Sequence, residues 1–361
     1  MLRDRYVADP RFRAWAARFF LTRFVARRRT RELFDICAGF VYAQVLAACV
    51  SLKLFDALAE GPQSLARLSA RCGVPMEGMA RLLDAAVALK LVSRRHGGLF
   101  GLGALGAAMV GNEAVASMVA HHGMLYADLA DPVALLRGDR ATRLSAYWAY
   151  ARAESPVSVS VDAVMPYTAL MAASQTLVAD EILDAYTVGR HRCLLDVGGG
   201  DGSFLRAAAK RAGQLQLMLF DLPAVAVRAE ARFAAAGLAG RARVIGGSFR
   251  TDPLPQGADI ISLVRVVHDH DDEVVRTLLR AVWVALPPGG TLLLAEPMAA
   301  THGAERMGDA YFGFYLLAMG SGRPRSAATL TGLLAEAGFA QVHRVPTHTP
   351  LLASVLIARR A

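Results

Sequence analysis

A glycine-rich stretch, DVGGGDG at residues 196–202, is the first of two places where the residue types could support chemistry. It follows the apolar run Cys193, Leu194 and Leu195 and precedes an alanine-rich amphipathic run. This order predicts a buried strand, a tight turn and a helix, the start of a βαβ unit. Glycine suits such a turn because a side chain would restrict the backbone and fill space beside it. The stretch is therefore predicted to bind a cofactor, although a glycine-rich turn without a ligand would look similar.

The residues around this turn favour one cofactor over another. A dinucleotide fingerprint, GxGxxG, would have its last glycine where this chain has Ser203; the spacing here is GxGxG, formed by Gly198, Gly200 and Gly202. Asp196 stands before the turn, where a carboxylate suits an ammonium group better than a pyrophosphate. The next apolar run ends on Asp221, placed to hold ribose hydroxyls. We therefore expect S-adenosylmethionine (SAM) rather than a dinucleotide.

The second chemically capable stretch is RVVHDHDDE at residues 265–273, directly after a predicted strand. A histidine just beyond a strand tip, His268, is placed to act as a general base. Glu296 ends the next strand at the same sheet edge and is expected to orient the imidazole. A metal site is the alternative, but five consecutive side chains cannot all turn inward. The later acids suit the first turn of a helix, so His268 and Asp269 remain the candidates and no metal is expected.

Composition describes a large globular chain with an apolar bias. Of the 361 residues, 54% are hydrophobic and 20% charged, and the net charge is +9. Ten arginines fall within the first 31 residues, among aromatic side chains at roughly helical spacing. This arm, residues 1–32, fits either an amphipathic helix on anionic lipid or a solvated arm packed on a partner subunit. No signal peptide is visible, and the four scattered cysteines fit free thiols in a reducing cytoplasm.

Residues 33–110 show the pattern of a winged-helix domain. Ser64 is a predicted N-cap for a short helix, a Cys-Gly-Val-Pro turn leads to a second helix at Met76, and a hairpin surrounds Gly97. Such a domain often binds DNA, which the positive charge would permit. However, the presumptive recognition helix carries Glu77 and Asp84 among small residues, which suits neither base edges nor phosphates. We therefore expect dimerisation rather than nucleic-acid binding. The uncharged run from Ile36 to Leu52 is more consistent with a helix in a subunit interface than with a membrane span.

The motifs DVGGGDG, FDLP, GSF at 247–249, VVHDHDDE and AEPM together resemble SAM-dependent O-methyltransferases of the plant and acetylserotonin type, over nearly the whole chain. The resemblance implies a winged-helix dimerisation domain that completes the partner's pocket, a histidine base at His268 and a supporting acid at Glu296. Three positions depart from the family pattern. Ser248 replaces an aspartate that contacts adenine, Val264 followed by Arg265 replaces a lysine, and Pro324 replaces a second acid beside the histidine.

Longer stretches are similar to purple-bacterial carotenoid 1-hydroxyl methyltransferases: the arginine-rich N-terminus, HHGMLYADLADPVALLRGD, YWAYA and GSGRPRS. This narrower resemblance implies methylation of the tertiary 1-hydroxyl of an acyclic carotenoid such as hydroxyneurosporene or demethylspheroidene. With the free cysteines and the basic arm, it leads us to expect a cytoplasmic enzyme whose arm touches the inner photosynthetic membrane. Alternatives are an O- or C-methyltransferase for a polyketide, phenol or tetrapyrrole, and a winged-helix regulator with a relict SAM fold.

The expectations for fold and site are as follows. The fold is α/β: a doubly wound, mostly parallel, Rossmann-like sheet at 188–361, a helical substrate segment at 111–187 and the winged-helix homodimerisation domain. Predicted catalytic residues are His268, Glu296 and Asp269. Predicted cofactor contacts are Asp196, Gly198, Gly200, Gly202, Asp221, Leu222, Ser248, Phe249, Arg265, Met171 and Ser174. Predicted contacts to a hydrophobic acceptor are His122, Tyr126, Tyr167, Phe312, Tyr315 and Met319, with one of His121 and His122 expected to face the pocket and the other the solvent.

Overall fold

The structure is a computed structural model that describes residues 2–139, 141–147, 175 and 178–361. The chain divides into two units, Met1–Asn112 and Glu113–Ala361. Each unit has a hydrophobic core of its own.

The first unit contains the predicted winged helix. Its elements are α1 (Leu2–Ala8), α2 (Pro10–Arg18), α3 (Arg23–Ser51), α4 (Leu54–Ala59), α5 (Leu65–Cys72), α6 (Met76–Ala88), the antiparallel hairpin β1 (Val92–Arg94) and β2 (Phe100–Leu102), and α7 (Ala104–Ala107). The Ser64 hydroxyl accepts the Arg67 N–H at the start of α5, as the cap pattern predicts. Gly73 ends the helix in a left-handed conformation, with φ of 63°. Leu68, Met79 and Leu83 fill the core beneath the hairpin.

Helix α3 is longer than expected. It begins at Arg23 and crosses the expected boundary between arm and dimerisation segment at 32/33, because 23–51 contains no proline and Arg28 pairs with Glu32 one turn later. Within the described residues it is the helix long and apolar enough to cross a membrane by length and composition. Its large apolar side chains are mostly exposed, Leu33, Phe34, Ile36 and Phe40 among them. A helix with this composition needs a covering surface in the functional assembly.

The second unit is built on a seven-stranded sheet. The strands are β3 (Cys193–Val197), β4 (Gln216–Asp221), β5 (Ala242–Gly246), β6 (Ile260–Val264), β7 (Thr291–Glu296), β8 (Phe339–Val345) and β9 (Ser354–Arg360). Their order is β5-β4-β3-β6-β7-β9-β8; β3 to β7 are parallel and β9 runs antiparallel to both neighbours. The chain reverses its direction of travel between β3 and β6. Their carboxyl ends therefore border the crevice where ligands bind in open α/β sheets.

Helices cover both faces of this sheet. The helices of this unit are α8 (Glu113–Asp128), α9 (Pro132–Arg137), α10 (Arg143–Tyr147), helical residues 178–185, α11 (Ser203–Arg211), α12 (Pro223–Ala235), α13 (Asp272–Ala285), α14 (Phe312–Met319) and α15 (Ala327–Glu336). A π-helical turn, Arg306–Tyr311, leads directly into α14. Asp272 and Glu273 lie in the first turn of α13, as expected for acids near a helix N-terminus.

The core of the second unit lies in two layers on opposite faces of the sheet. Leu195, Ile261 and Leu294 pack on one face, while their neighbours Leu194, Ile260 and Leu293 pack on the other. Strand side chains alternate between faces, and both faces are covered, so the central strands are mostly apolar; Asp196 in β3 and Ser262 in β6 are exceptions that pair with each other. A separate cluster joins α8, α10 and α14 through Leu125, Leu144 and Leu316. This cluster places α14 against α8 and brings both helices to the site.

Candidate active site

The glycine turn joins β3 to α11, and its three left-handed glycines differ in what surrounds them. Gly198, Gly200 and Gly202 all have left-handed φ, between 59° and 77°. A Cβ at Gly198 would lie 2.8 Å from a Val266 methyl, and one at Gly202 would lie 2.5 Å from the Phe233 ring. A Cβ at Gly200 would meet no atom within 4 Å. The nearest neighbour of a Cβ at Gly198 is therefore Val266, whereas one at Gly200 would enter open space. The cofactor contacts expected of these glycines stay predictions.

Two carboxylates flank this turn. Asp196 is almost completely buried; Ser262 donates to its Oδ1 at 2.6 Å, and its Oδ2 has no hydrogen-bond partner among the described residues. Burial, helped by the charge of Asp221, raises the pKa of Asp196 to about 7. Asp221 accepts the N–H groups of Gly200 and Leu222, each at 2.7 Å, and burial raises its pKa to about 6 despite these donors. Both side chains gain from a guest that brings a positive charge or hydrogen-bond donors.

The loop after β5, together with Leu222 before α12, forms a second side of the candidate cofactor site. Ser248 is buried; its N–H donates to Asp252 Oδ2 at 2.8 Å, and its hydroxyl accepts the Arg250 N–H at 3.3 Å. Phe249 meets the His270 ring edge-to-face, with centroids 5.2 Å apart. Asp252 therefore stabilises the loop at the position where Ser248 stands in place of the family's aspartate.

The turn after β6 is held by one carboxylate. Glu296 Oε1 accepts the N–H groups of Val266 and Val267, at 3.1 and 2.7 Å, and its Oε2 contacts the Nδ1 of His268. Glu296 thus fixes both the backbone and the ring of the turn, as predicted from its place on the neighbouring strand β7. Arg265, which opens the turn, has a left-handed φ of 57°, a strained conformation for an arginine.

The His268 ring lies between two carboxylates. Its Nε2 is 3.1 Å from Asp269 Oδ1, so Asp269 contacts the ring on the side opposite Glu296. Burial disfavours the imidazolium, yet the charges of Asp269 and Glu296 outweigh burial and raise the pKa of His268 to about 10. In the absence of a bound cation this pKa favours the protonated ring at pH 7. A cation bound nearby would lower this pKa and favour the neutral ring.

Helices α8 and α14 face each other through two histidine–tyrosine pairs. His121 Nε2 lies 2.9 Å from the Tyr315 hydroxyl, and His122 Nε2 lies 2.9 Å from the Tyr311 hydroxyl. The expectation that one of these histidines faces solvent was wrong, because two tyrosines four residues apart present partners to both. Phe312 lies between the pairs and His268, with its ring 5.5 Å from the imidazole.

Burial keeps these paired side chains uncharged. It lowers the pKa of His121 to about 4 and also lowers that of His122. It raises the pKa of Tyr311 to about 12 and raises that of Tyr315 as well. The charge of Arg265 opposes this rise at both tyrosines, which places the guanidinium towards them. The pairs therefore form a neutral surface whose polar atoms contact one another.

The remaining predicted residues have the following places. Tyr126 lies on α8 one turn beyond His122 and is half-buried. Met319, at the end of α14, is 1% exposed and belongs to the core cluster with Leu125 and Leu144. Met171, Ser174 and Tyr167 lie outside the described residues.

SAM fits the groups at the glycine turn. The buried Oδ2 of Asp196, which has no partner in the described part of the chain, suits an ammonium group, and the turn is open at Gly200. Within the described ranges, no group of three or more His, Cys, Asp or Glu side chains is placed to share a metal ion. The sequence expectation of a metal-free reaction stays a prediction.

Several residues at the site were not among the predicted contacts. They are Tyr311, His270, Asp252 and Arg325, and His121 was named only as the neighbour of His122. Tyr311 had a detectable signal, because adjacent histidines and tyrosines at i and i+4 can pair across two helices. Arg325 had none, because it reaches the turn from more than 50 residues away.

Comparison with known proteins gives the family. Residues 126–340 match the model of the O-methyltransferase domain, and residues 34–121 match that of the O-methyltransferase dimerisation domain. The chain is 45% identical to the demethylspheroidene O-methyltransferase of Cereibacter sphaeroides, over 99% of this chain and 94% of that protein. It is 44% identical to the enzyme of the same name from Rhodobacter capsulatus, over 93% and 84% of the two chains.

A solved structure agrees with this result. Human N-acetylserotonin methyltransferase in complex with SAM matches with a TM-score of 0.75 and 26% identity, covering 92% of this chain and 98% of that one. The mostly parallel seven-stranded sheet confirms the expected fold, and the dimerisation domain fits a homodimer. The chain therefore belongs to the O-methyltransferase family and is a SAM-dependent O-methyltransferase with an N-terminal dimerisation domain.

Proposed function

We propose that this enzyme methylates the tertiary 1-hydroxyl of an acyclic carotenoid such as hydroxyneurosporene or demethylspheroidene. The observation that carries the proposal is the 45% identity, over nearly the full length of both chains, to an enzyme named for demethylspheroidene. The neutral surface of α8 and α14 supports it, because a long hydrocarbon needs a site without exposed charge.

In this proposal the cofactor lies on the turn between β3 and α11. Asp196 holds the ammonium group, Asp221 the ribose, and Leu222, Ser248 and Phe249 the adenine, with Gly198, Gly200 and Gly202 shaping the backbone. Met171, Ser174 and Arg265 complete the expected contacts. Bound SAM supplies a methyl group on a positively charged sulfur, which makes a strong electrophile without a metal.

His268 is the general base. The positive charge of bound SAM would favour the neutral ring, whose Nε2 then removes the proton of the acceptor hydroxyl, while Glu296 orients the ring through Nδ1 and stabilises the imidazolium that forms. Asp269, in contact with Nε2, helps position the hydroxyl. A tertiary alcohol is too weak an acid to be fully deprotonated beforehand, so proton removal accompanies its reaction. Such assistance is worth about 10²- to 10⁴-fold, and alignment of the hydroxyl contributes to the rate as well.

The acceptor lies between the turn and the two facing helices. Phe312 and Tyr315 on α14 are proposed to form this acceptor surface with His122 and Tyr126 on α8. The Phe312 ring lies 5.5 Å from the His268 ring, and Met319 lies further along α14. Tyr167 is expected to add to this surface. Because the His–Tyr pairs use their own polar atoms, the hydrocarbon meets ring faces rather than hydrogen-bonding groups.

A panel of acceptors tests the substrate. Labelled SAM and the purified enzyme should methylate a 1-hydroxylated acyclic carotenoid in detergent micelles more efficiently than a phenol, a polyketide or a tetrapyrrole. His268→Ala should lower kcat by about 10²- to 10⁴-fold with SAM affinity retained. Preferred methylation of a phenol would contradict the carotenoid assignment, and an active His268→Ala variant would contradict the base.

Specific DNA binding would favour a regulator, although the charged residues of α6 pair locally, Arg81 with Glu77 and Asp84 with Arg94.

The N-terminal arm is proposed to hold the cytoplasmic enzyme at an anionic membrane surface. Trp15, Phe20, Leu21 and Phe24 are all more than half exposed, among arginines on α2 and the start of α3. This combination of apolar and basic side chains suits an anionic bilayer, where a carotenoid also resides. The enzyme should float with phosphatidylglycerol vesicles and a variant lacking residues 1–31 should not. Equal flotation of both proteins would refute the contact.

A further inference from the structure

The segment from Gly320 to Ser326 lies directly against the turn that carries His268. The Arg323 N–H donates to the His268 carbonyl at 2.9 Å, and the Ser321 hydroxyl donates to the Asp269 carbonyl at 2.9 Å. Gly322 has a φ of 76°, and a Cβ there would overlap the carbonyl oxygen of His268. The two backbones therefore approach as closely as a glycine permits.

Arg325, at the end of this segment, sends its side chain beneath the turn. The side chain is 2% exposed. Its Nη1 donates to the Val267 carbonyl at 2.9 Å, and its Nη2 donates to the His270 carbonyl at 2.7 Å. Its Nε and Nη2 both donate to Asp272 Oδ1, at 2.9 and 2.6 Å. One guanidinium thus joins the carbonyls on either side of the His268–Asp269 pair to the first turn of α13.

Two side chains of opposite charge therefore hold the turn after β6. Glu296 accepts its N–H groups at Val266 and Val267, and Arg325 donates to its carbonyls at Val267 and His270. Arginine suits the contacts to the two carbonyls better than most side chains, because these contacts need several N–H donors in a fixed planar arrangement. A lysine at this position could keep the pairing with Asp272 but not both carbonyl contacts.

We propose that Arg325 is a positioning residue for methyl transfer, which fixes the turn so that the His268 ring stays between Glu296 and Asp269. The proposal rests on the proposed function of His268 as the base. It predicts that loss of the guanidinium lowers kcat through misplacement of the ring and leaves the cofactor turn after β3 intact.

The ionisation of His268 distinguishes positioning from a general contribution to folding. The ionisable groups around this ring are Glu296 on β7, Asp269 and His270 on its own turn, Arg265 ahead of it, and Tyr311 and Tyr315 on the facing helix. Asp269 and Glu296 hold the pKa of His268 above its ordinary value. A ring that moves away from them should therefore titrate at lower pH, whereas partial unfolding would reduce the active fraction without moving the titration.

The test compares Arg325→Met and Arg325→Lys with Arg323→Met as the matched control. Arg323 pairs with the same Asp272, but its side chain is 60% exposed. We expect Arg325→Met to lower kcat about 10²-fold, the cost of a misplaced catalytic group, with SAM affinity retained. Arg325→Lys should show a smaller loss in the same direction, and Arg323→Met should match the wild type. If Arg325→Met does not fold, Arg325→Lys decides the question.

The second readout does not need turnover. Histidine-labelled NMR titration of the cofactor-free protein, with the His268 signal assigned by its loss in His268→Gln, should give a lower pKa in both Arg325 variants than in wild type. An unchanged His268 pKa with unchanged kcat in a folded Arg325 variant would overturn the proposal. Full activity of His268→Ala would instead refute the base itself, so the two failures are distinguishable.

Discussion

The strand tips and the α8–α14 helix pair are both buried, yet they treat charge in opposite ways. At the strand tips, Asp196, Asp221 and His268 have pKa values moved towards or beyond neutrality, so their ionisation depends on what binds beside them. On the helix pair, burial keeps His121 and Tyr315 uncharged over the whole physiological range. The sheet edge therefore carries the pH-sensitive groups, and the helices carry a neutral surface.

The largest expected effect is that of Glu296→Gln. The carboxylate accepts two N–H groups with one oxygen and contacts His268 with the other, and an amide has one acceptor oxygen for both tasks. If the amide oxygen keeps the backbone contacts, its NH₂ faces Nδ1 and forces the proton to Nε2, where the base must be free. We expect kcat to fall by about 10²- to 10⁴-fold.

The pH profile of any residual Glu296→Gln activity sharpens this prediction. Loss of a neighbouring negative charge lowers the pKa of His268, so the acid limb of kcat should move to lower pH. A limb that stays in place would show that another group controls the rate.

Asp196→Asn should separate stability from cofactor binding. The folded Asp196 has a pKa of about 7, above its unfolded value, so it retains a proton between about pH 4 and 7 that the unfolded chain has lost. The stabilisation of the folded state by this proton is fully present below about pH 4 and is lost as the pH rises through about 7. The variant should therefore have a higher free energy of unfolding than wild type at pH 8, by up to about 4 kcal/mol, and a smaller advantage at pH 5.

Urea unfolding at the two pH values measures this difference. SAM affinity should fall about tenfold in the same variant, since the amide offers no charge to an ammonium group. A variant that binds SAM as wild type does would remove Asp196 from the cofactor site.

Tyr315→Phe should have the smallest effect. It leaves His121 Nε2 buried without its partner, which costs about 1 to 3 kcal/mol, and KM for the acceptor should rise a few-fold with the pH profile unchanged. The double variant His121→Phe with Tyr315→Phe should recover most of the stability, since no polar atom is then left alone. A shifted pH profile of kcat in Tyr315→Phe would show that the helix pair also affects the ionisation at the strand tips, against the contrast between the two regions.

Local patterns explain what could be predicted from the sequence. Strands β3, β4, β6 and β7 are apolar runs ending in polar residues, and parallel strands bring those ends together. The proximity of Glu296 to His268 follows from that rule. Likewise, Ser64 and the turn at Gly73 indicate the winged helix, because helix caps and tight turns depend on a few neighbouring residues.

What could not be predicted depends on long-range packing. Pro324 departs from the family pattern, but nothing local shows that its neighbour Arg325 reaches carbonyls of the turn after β6. The start of α3 at Arg23 was missed because the charged arm and the apolar helix differ in composition while forming one continuous backbone. The inward direction of both His121 and His122 depends on tyrosines almost 200 residues away.

The π-helical turn before α14 has a consequence for how acceptor preference could change. A π turn holds one more residue than an α turn, so it offsets the residues on one side by about 100° relative to the other. Tyr311 ends this turn and Phe312 begins α14. A one-residue deletion within Arg306–Tyr311 would restore a regular α-helix. The side of the turn that is packed less tightly would then rotate, and its side chains would point in a new direction. Natural variation in the length of this short segment could thus alter the acceptor wall without any substitution in it.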